Sequence, residues 1–117
     1  MKRIEALVQR FADNVAAQSE ALLRGDARAG NKHAKQYIAA FKALRAIGDE
    51  GREALVPLMF EGRDDIRLMA SAFLLRFRHE DARRVLEGLA RGTGMTAFSA
   101  GEALKRWDER TWQLDPE

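Results

Sequence analysis

The sequence has no cysteine among its 117 residues and only two prolines. The lack of cysteine excludes disulfides, thiolate nucleophiles, cysteine-ligated zinc and iron–sulfur clusters, and it is typical of a reducing compartment. No apolar run approaches the roughly 18 residues that a membrane span needs, and Glu5 and Asp13 interrupt any signal-like run near the start. We therefore expect a cytoplasmic protein with no membrane segment and no secretion signal.

Residues that suit β-strands are also scarce. Valine, isoleucine and threonine together occur 11 times, against 20 alanines and 13 leucines. Alanine and leucine lose little side-chain freedom in a helix, whereas β-branched residues fit a pleated sheet better. Because 46% of the residues are apolar, the chain can form a core, and we predict a single all-α domain over residues 1–117.

Apolar residues recur at helical spacing in six segments, which we pair into three hairpins. The predicted hairpins cover residues 2–47, 49–77 and 80–107, and a C-terminal cap covers residues 108–117. Gly25 and Asp26 predict a tight turn inside the first hairpin, because glycine closes a helix and aspartate caps the next one. Pro57 lies inside the third segment, where we expect a kink. In the cap, we expect Trp112 to fold back over the sixth helix.

The second and third predicted hairpins align with each other at an offset of 31 residues. In this alignment Leu55 falls on Leu86, and Ala70 falls on Gly101. A two-helix period of this length is typical of stacked hairpins that bury their apolar faces against one another. We expect Ala70 and Gly101 to be small because helices cross closely at both positions.

Two stretches, residues 55–58 (LVPL) and 65–70 (DIRLMA), resemble a HEAT repeat, with a proline in the first helix and an Asp–aliphatic–Arg start to the second. The chain as a whole is similar to a family of short bacterial proteins classed as a domain of unknown function with a HEAT-like fold. The similarity rests on residues 7, 8, 11, 21–26, 31, 55–58, 65–70, 74, 82, 83 and 85–87. It implies an all-α, HEAT-like (armadillo-type) superhelix of three stacked hairpins, and it supplies no activity to transfer.

No residue pattern indicates catalysis or metal binding, so we predict a protein that is not an enzyme and holds no cofactor or metal. His33 and His79 stand alone, and no serine lies in a nucleophile motif. Paired acids occur where helices are predicted to begin: Asp49–Glu50, Asp64–Asp65 and Glu80–Asp81. Free amides and the helix dipole stabilise carboxylates there, so we interpret the pairs as helix starts. We expect Arg67 to form an inter-repeat ion pair with an acid of a neighbouring turn.

Gln18 interrupts the apolar stripe of the first predicted helix. A buried amide needs hydrogen-bond partners. One interpretation is that Gln18 ties the first hairpin together, with Asn31 on the antiparallel helix as a candidate partner. The other is that Gln18 and Asn31 form a small polar recognition site.

The strongest asymmetry is in charge. Residues 24–45 contain six basic residues and one acid, a net +5, whereas residues 108–117 carry a net −3. At about 100° per residue, four of the bases fall within about 80° of one another, opposite the apolar side of the second helix. These four are Arg28, Lys32, Lys35 and Lys42. This stripe is either a solvated outer face or a binding site for an acidic partner.

We therefore predict a non-catalytic protein-interaction module, either an adaptor or an immunity-type protein, that binds through the surface of its second helices. The basic stripe is the assigned binding site, and an acidic protein is the expected partner. The alternative is a weak nucleic-acid binder that uses the same stripe. Nucleic acid is disfavoured because no exposed aromatics are interleaved with the stripe and the net charge of the chain is only +2. The sequence pattern does not predict an oligomeric state.

Overall fold

The computed structural model describes residues 2–60 and 62–115, and within these ranges every regular element is helical. In chain order the elements are α1 (Lys2–Leu23), α2 (Ala27–Ile47), α3 (Asp49–Glu53), a 3₁₀ helix (Val56–Met59), α4 (Asp64–Phe73), α5 (His79–Ala90) and α6 (Gly94–Asp108). The all-α prediction is confirmed. Among the described residues, no helix combines the length and the hydrophobicity that crossing a bilayer requires.

The chain divides into two compact units, Met1–Leu55 and Val56–Glu117. The first unit contains α1, α2 and α3, and the second contains the 3₁₀ helix, α4, α5 and α6. The division falls inside the stretch predicted as the second hairpin, because α3 packs on α2 whereas the 3₁₀ helix packs on α4. The single domain of three hairpins stays a prediction.

The turn between α1 and α2 has the predicted conformation. Gly25 has a φ of 76°, which glycine adopts without steric cost, and the Asp26 amide donates to the Ala21 carbonyl at 2.8 Å. The Asp26 carboxylate then accepts the Ala29 amide at 3.0 Å and caps α2. The side chains that the resulting antiparallel pair buries are those at helical spacing, including Phe11, Val15, Tyr37, Ala40, Phe41 and Leu44.

A close backbone contact joins α2 to α3, at a position that differs from the predicted one. A Cβ atom at Gly51 would lie 1.9 Å from the Leu44 carbonyl oxygen, so this position requires glycine. The prediction for Gly101 is wrong, since a Cβ atom there would meet nothing within 4 Å. Burial at the aligned residue Ala70 is complete, so the 31-residue alignment does not place the two small residues in equivalent surroundings.

The predicted kink at Pro57 is also wrong, because two separate elements form instead of one bent helix. α3 ends at Glu53, and Pro57 lies in the 3₁₀ helix. The proline ring clashes with the carbonyl four residues earlier in an α-helix, which is the carbonyl of Glu53. The chain avoids this clash by ending α3 there and continuing through a turn.

The second unit forms its core from short helices and the turn that follows α4. This helix was expected to continue to Phe77, but it ends at Phe73, and residues 74–78 form turns. Leu74 and Leu75 are fully buried in this turn, together with Leu86 of α5. The Ser71 hydroxyl is buried as well and has no hydrogen-bond partner among the described residues.

The paired acids lie in the first turns of α3, α4 and α5, as predicted. Arg67 bonds to the Asp64 carboxylate at 3.0 Å and donates to the Met59 carbonyl at 3.3 Å. The acid therefore belongs to the helix of Arg67 itself, and the expected inter-repeat ion pair is wrong. A spacing of three residues places both side chains on one face of α4.

Candidate protein-binding surface

The four basic residues predicted to form a stripe are all exposed along one side of α2. Arg28, Lys32, Lys35 and Lys42, here called the basic face, lie opposite the side that carries the buried Tyr37. Because an α-helix rises about 1.5 Å per residue, the face extends about 21 Å along the helix axis. The helix itself therefore positions the four cations in a line.

An open groove of about 600 Å³ lies along the N-terminal half of this face. Its lining residues are Asp26, Arg28, Ala29, Asn31, Lys32 and Lys35. Lys42 lies about two turns further along α2 and extends the face beyond the groove. The structure thus brings three of the four predicted binding residues together with Asn31, and it places the fourth on the same side.

The basic face has no counter-ion within the part of the chain that the structure describes. Within residues 2–60 and 62–115, none of its four side chains makes an ion pair or a hydrogen bond. The nearest acid in sequence is Asp26, whose carboxylate accepts the Ala29 amide. The positive charge of the face is therefore directed to solvent, where it is available to an external anion.

The position of Arg28 in the first turn of α2 is unfavourable for helix stability. The first turn of α2 contains no acidic residue, and Arg28 lies in it. A cation near a helix N-terminus faces the positive end of the helix dipole and lowers stability, typically by about 0.3 to 1 kcal/mol. The same dipole adds to the positive potential of the groove.

On the inner side of the hairpin, two side-chain hydrogen bonds join α1 to α2. The Tyr37 hydroxyl donates to the Gln18 amide oxygen at 3.3 Å, and His33 Nδ1 lies 2.9 Å from the Asn14 amide oxygen. The Asn14 amide nitrogen donates to a carbonyl in α1, so its oxygen is the acceptor and His33 Nδ1 is the donor. Burial raises the pKa of Tyr37 above its usual 10.0, so its hydroxyl stays protonated at neutral pH.

Gln18 ties the hairpin together, but not through the residue that the sequence suggested. Its oxygen accepts from Tyr37, whereas Asn31 is exposed and lines the groove. No hydrogen bond joins the two side chains in the described part of the chain, and a shared polar recognition site stays a prediction. Both pairs, Asn14 with His33 and Gln18 with Tyr37, depend on how α1 and α2 align, and no local pattern in the sequence identifies them.

The C-terminal segment of the second unit contains contacts that the sequence did not reveal. Trp112 packs edge-to-face on Trp107, with ring centroids 5.1 Å apart, so the predicted fold-back over α6 is confirmed. The Trp112 indole nitrogen also donates to the Ala72 carbonyl at 2.9 Å, and Asp115 pairs with Arg76 at 3.1 Å. These contacts join residues about 40 positions apart, and no local pattern identifies such partners.

Among residues 2–60 and 62–115, no group of three or more histidine, aspartate or glutamate side chains could hold a metal ion. His33 contacts Asn14, and His79 stacks on Trp107 with ring centroids 5.2 Å apart. The chemistry that the basic face offers is therefore electrostatic attraction and hydrogen-bond donation.

Comparison with known proteins identifies the family. The fold is similar to that of the protein RPA1889 from Rhodopseudomonas palustris CGA009, whose crystal structure matches with a TM-score of 0.87 and 26% sequence identity over 97% of this chain and 93% of that chain. No curated protein matches the sequence. A family model described as a domain of unknown function matches residues 5–108, a range that reaches from α1 to the end of α6. The chain therefore belongs to the DUF2019 family.

Proposed function

We propose that this chain is a non-catalytic protein-interaction module, an adaptor or an immunity-type protein of the cytoplasm, that binds an acidic protein through the basic face of α2. The observation that carries the proposal is the set of four exposed cations without an ion pair among the described residues. Charges of this kind act mainly by accelerating encounter with an oppositely charged surface.

The spacing of the cations favours a partner that presents acids at helical intervals. Arg28, Lys32 and Lys35 follow one another at intervals of four and three residues, which is the spacing of neighbours on a helix surface. A helix with carboxylates at the same intervals can lie along the groove and oppose each cation with one acid. Asn31 lines the same groove and can donate or accept a further hydrogen bond.

We also propose that the fold is HEAT-like, with three stacked hairpins whose second helices include α2, α4 and α6. Two observations support this architecture. Leu55 and Leu86, which align at the 31-residue offset, are both fully buried, and α5 packs against α6 as a hairpin does. In repeat proteins of this type the equivalent helices of successive units form one binding surface.

Nucleic acid is the alternative ligand for the basic face. Proteins that bind single strands stack bases on exposed aromatic side chains. Here the exposed residue between Lys35 and Lys42 on this side of α2 is Ala39. The face thus supplies phosphate-binding charge without a stacking platform, and this favours a protein partner.

The test is a fluorescence anisotropy titration with three labelled probes at low salt. The first is a helical peptide with glutamates at positions i, i+4 and i+7, the second is the same peptide with glutamines there, and the third is mixed-sequence DNA or RNA. We expect the glutamate peptide to bind at least about tenfold more tightly than the glutamine peptide, because only carboxylates pair with the cations. Binding to neither peptide nor nucleic acid would show that the face is only a solvated helix surface.

Charge-reversal variants assign the binding to the face. Replacing Lys32 and Lys35 with glutamate should abolish peptide binding, whereas replacing the exposed Arg84 and Lys105 with glutamate changes the net charge equally and should leave it nearly intact. Nucleic-acid binding whose log affinity falls with log salt at a slope of roughly 3, as expected for four phosphate contacts, would instead establish the alternative.

A further inference from the structure

The C-terminal residues 111–115, here called the tail segment, lie against their own unit as a peptide ligand does. The amides of Thr111 and Trp112 donate to the Arg106 carbonyl at 2.8 and 3.1 Å, at the end of α6. The indole of Trp112 then packs on Trp107. Residues 111–113 have no regular secondary structure, so side-chain contacts hold the segment in place.

Two specific contacts anchor the tail segment to the end of α4. The first is the hydrogen bond from the Trp112 indole nitrogen to the Ala72 carbonyl, at 2.9 Å. Ala72 lies in the last turn of α4, where carbonyls lose their intrahelical donors and need others. The indole therefore fills a hydrogen-bonding position that the helix end leaves open.

The second anchor is the ion pair between Arg76 and Asp115. The Asp115 carboxylate is 3.1 Å from the guanidinium and only 1% exposed, and the same guanidinium donates to the main-chain carbonyl of Asp115. A buried carboxylate needs this kind of charged partner, because burial without one is costly. Together, the two anchors recognise an aromatic N–H donor and a carboxylate three residues further along the chain.

The tail segment does not fill the groove in which it lies. A volume of about 450 Å³ remains, which is in the range of pockets that bind ligands. Its lining residues are Leu68, Met69 and Ala72 of α4, Ser99, Ala103 and Arg106 of α6, and residues 111–114. Most of this lining is apolar, so a segment with larger side chains could bury more apolar area there than the tail segment does.

The backbone that leads into the tail segment is strained. Arg110 has a φ of 63°, the only positive value at a described residue other than glycine. The turn after α1 uses the same pair of hydrogen bonds, but with Gly25 at the equivalent position. A side chain disfavours this backbone conformation. The anchors described above, and not the backbone preference of Arg110, therefore hold the tail segment in place.

We propose that the groove between α4 and α6 is a peptide-binding site, which the tail segment occupies in competition with a partner protein. The partner carries an unstructured segment with a tryptophan followed three residues later by an acidic residue. Displacement of the tail segment exposes the Ala72 carbonyl, the Arg76 guanidinium and the apolar groove to this segment. The site lies within Val56–Glu117, whereas the basic face lies within Met1–Leu55, so either proposal can fail without the other.

The experiment measures binding of a labelled, amidated peptide with the sequence of residues 110–115 (RTWQLD) to the full-length chain. In the variant with Trp112→Ala and Asp115→Asn, the internal competitor is weakened, and the walls of the groove that α4 and α6 supply are left unchanged. We expect this variant to bind the peptide at least about tenfold more tightly than the wild type does, because an attached tail competes at an effective concentration in the millimolar range. Circular dichroism shows whether this double variant is folded. If it is unfolded, the single variant Asp115→Asn is used in its place.

Changes in the peptide test the two anchors without altering the protein. Replacing its tryptophan with alanine, or its aspartate with asparagine, should each abolish binding to the opened variant. Equal binding to the wild type and the opened variant would overturn the competition. Loss of all binding, or binding that is unaffected by these two peptide changes, would overturn the site itself.

Discussion

The basic residues of the two units differ in what they contact. In Val56–Glu117, arginines pair with acids that are distant in sequence, as Arg76 does with Asp115 at 3.1 Å and Arg83 with Asp108 at 3.0 Å. In Met1–Leu55, the four cations of the basic face have no such partner among the described residues. The same kind of side chain thus crosslinks one unit and remains available to solvent in the other.

This difference follows from how each unit is held together. The α1–α2 pair has two long helices, each with an apolar stripe, and two side-chain hydrogen bonds join them, from His33 to Asn14 and from Tyr37 to Gln18. The second unit has shorter helices and a tail segment that needs anchors. Packing holds the first unit without the cations of the basic face, and this is the physical reason for proposing that face as the partner surface.

The largest effect should come from breaking the close contact in the first unit. Gly51→Ala places a methyl group 1.9 Å from the Leu44 carbonyl oxygen and should cost at least about 3 kcal/mol, the upper end for overpacking. The control is Gly101→Ala, which enters open space within α6 and should stabilise by up to about 1 kcal/mol. Urea unfolding measures both changes, and equal stability of the two variants would contradict the assignment of the close contact.

A smaller effect should distinguish a buried ion pair of the second unit from an exposed one. Asp115→Asn removes the charge of a carboxylate that is 1% exposed and should cost about 2 kcal/mol, less than a fully buried pair because Arg76 is partly exposed. Asp108→Asn alters a pair whose acid is 57% exposed, and it should cost less than about 0.5 kcal/mol. Thermal unfolding of the two variants ranks them, and the reverse order would refute the role of Asp115 as an anchor.

The smallest effect should be a gain in stability on the basic face. Arg28→Glu places an acid in the first turn of α2, four residues before Lys32, and should stabilise by about 0.5 kcal/mol. The same variant should weaken binding of the glutamate peptide. A loss of stability in urea unfolding would mean that Arg28 serves the fold and not a partner.

The elements of the fold that rest on neighbouring residues were predicted well. α1 and α2 begin and end within about three residues of the predicted limits, because each has an apolar stripe and Gly25 with Asp26 separates them. α4 ends at Phe73, earlier than predicted. The prediction extended the helix because Leu74 and Leu75, which are buried in the following turn, are also typical of a helix. Apolar periodicity does not distinguish a buried turn from a further helical turn.

The sequence by itself determined the helical class, the acids in the first turns and the line of cations on α2, because each depends on residues at most a few positions apart. Only the tertiary structure decided that Gln18 bonds to Tyr37 and not to Asn31, and that Asp115 is buried against Arg76. These contacts depend on how helices align and on where the chain returns, and their energies act between residues that are distant in sequence. Local propensity does not determine which distant residues come into contact, so only the fold identifies the hydrogen-bond and ion-pair partners.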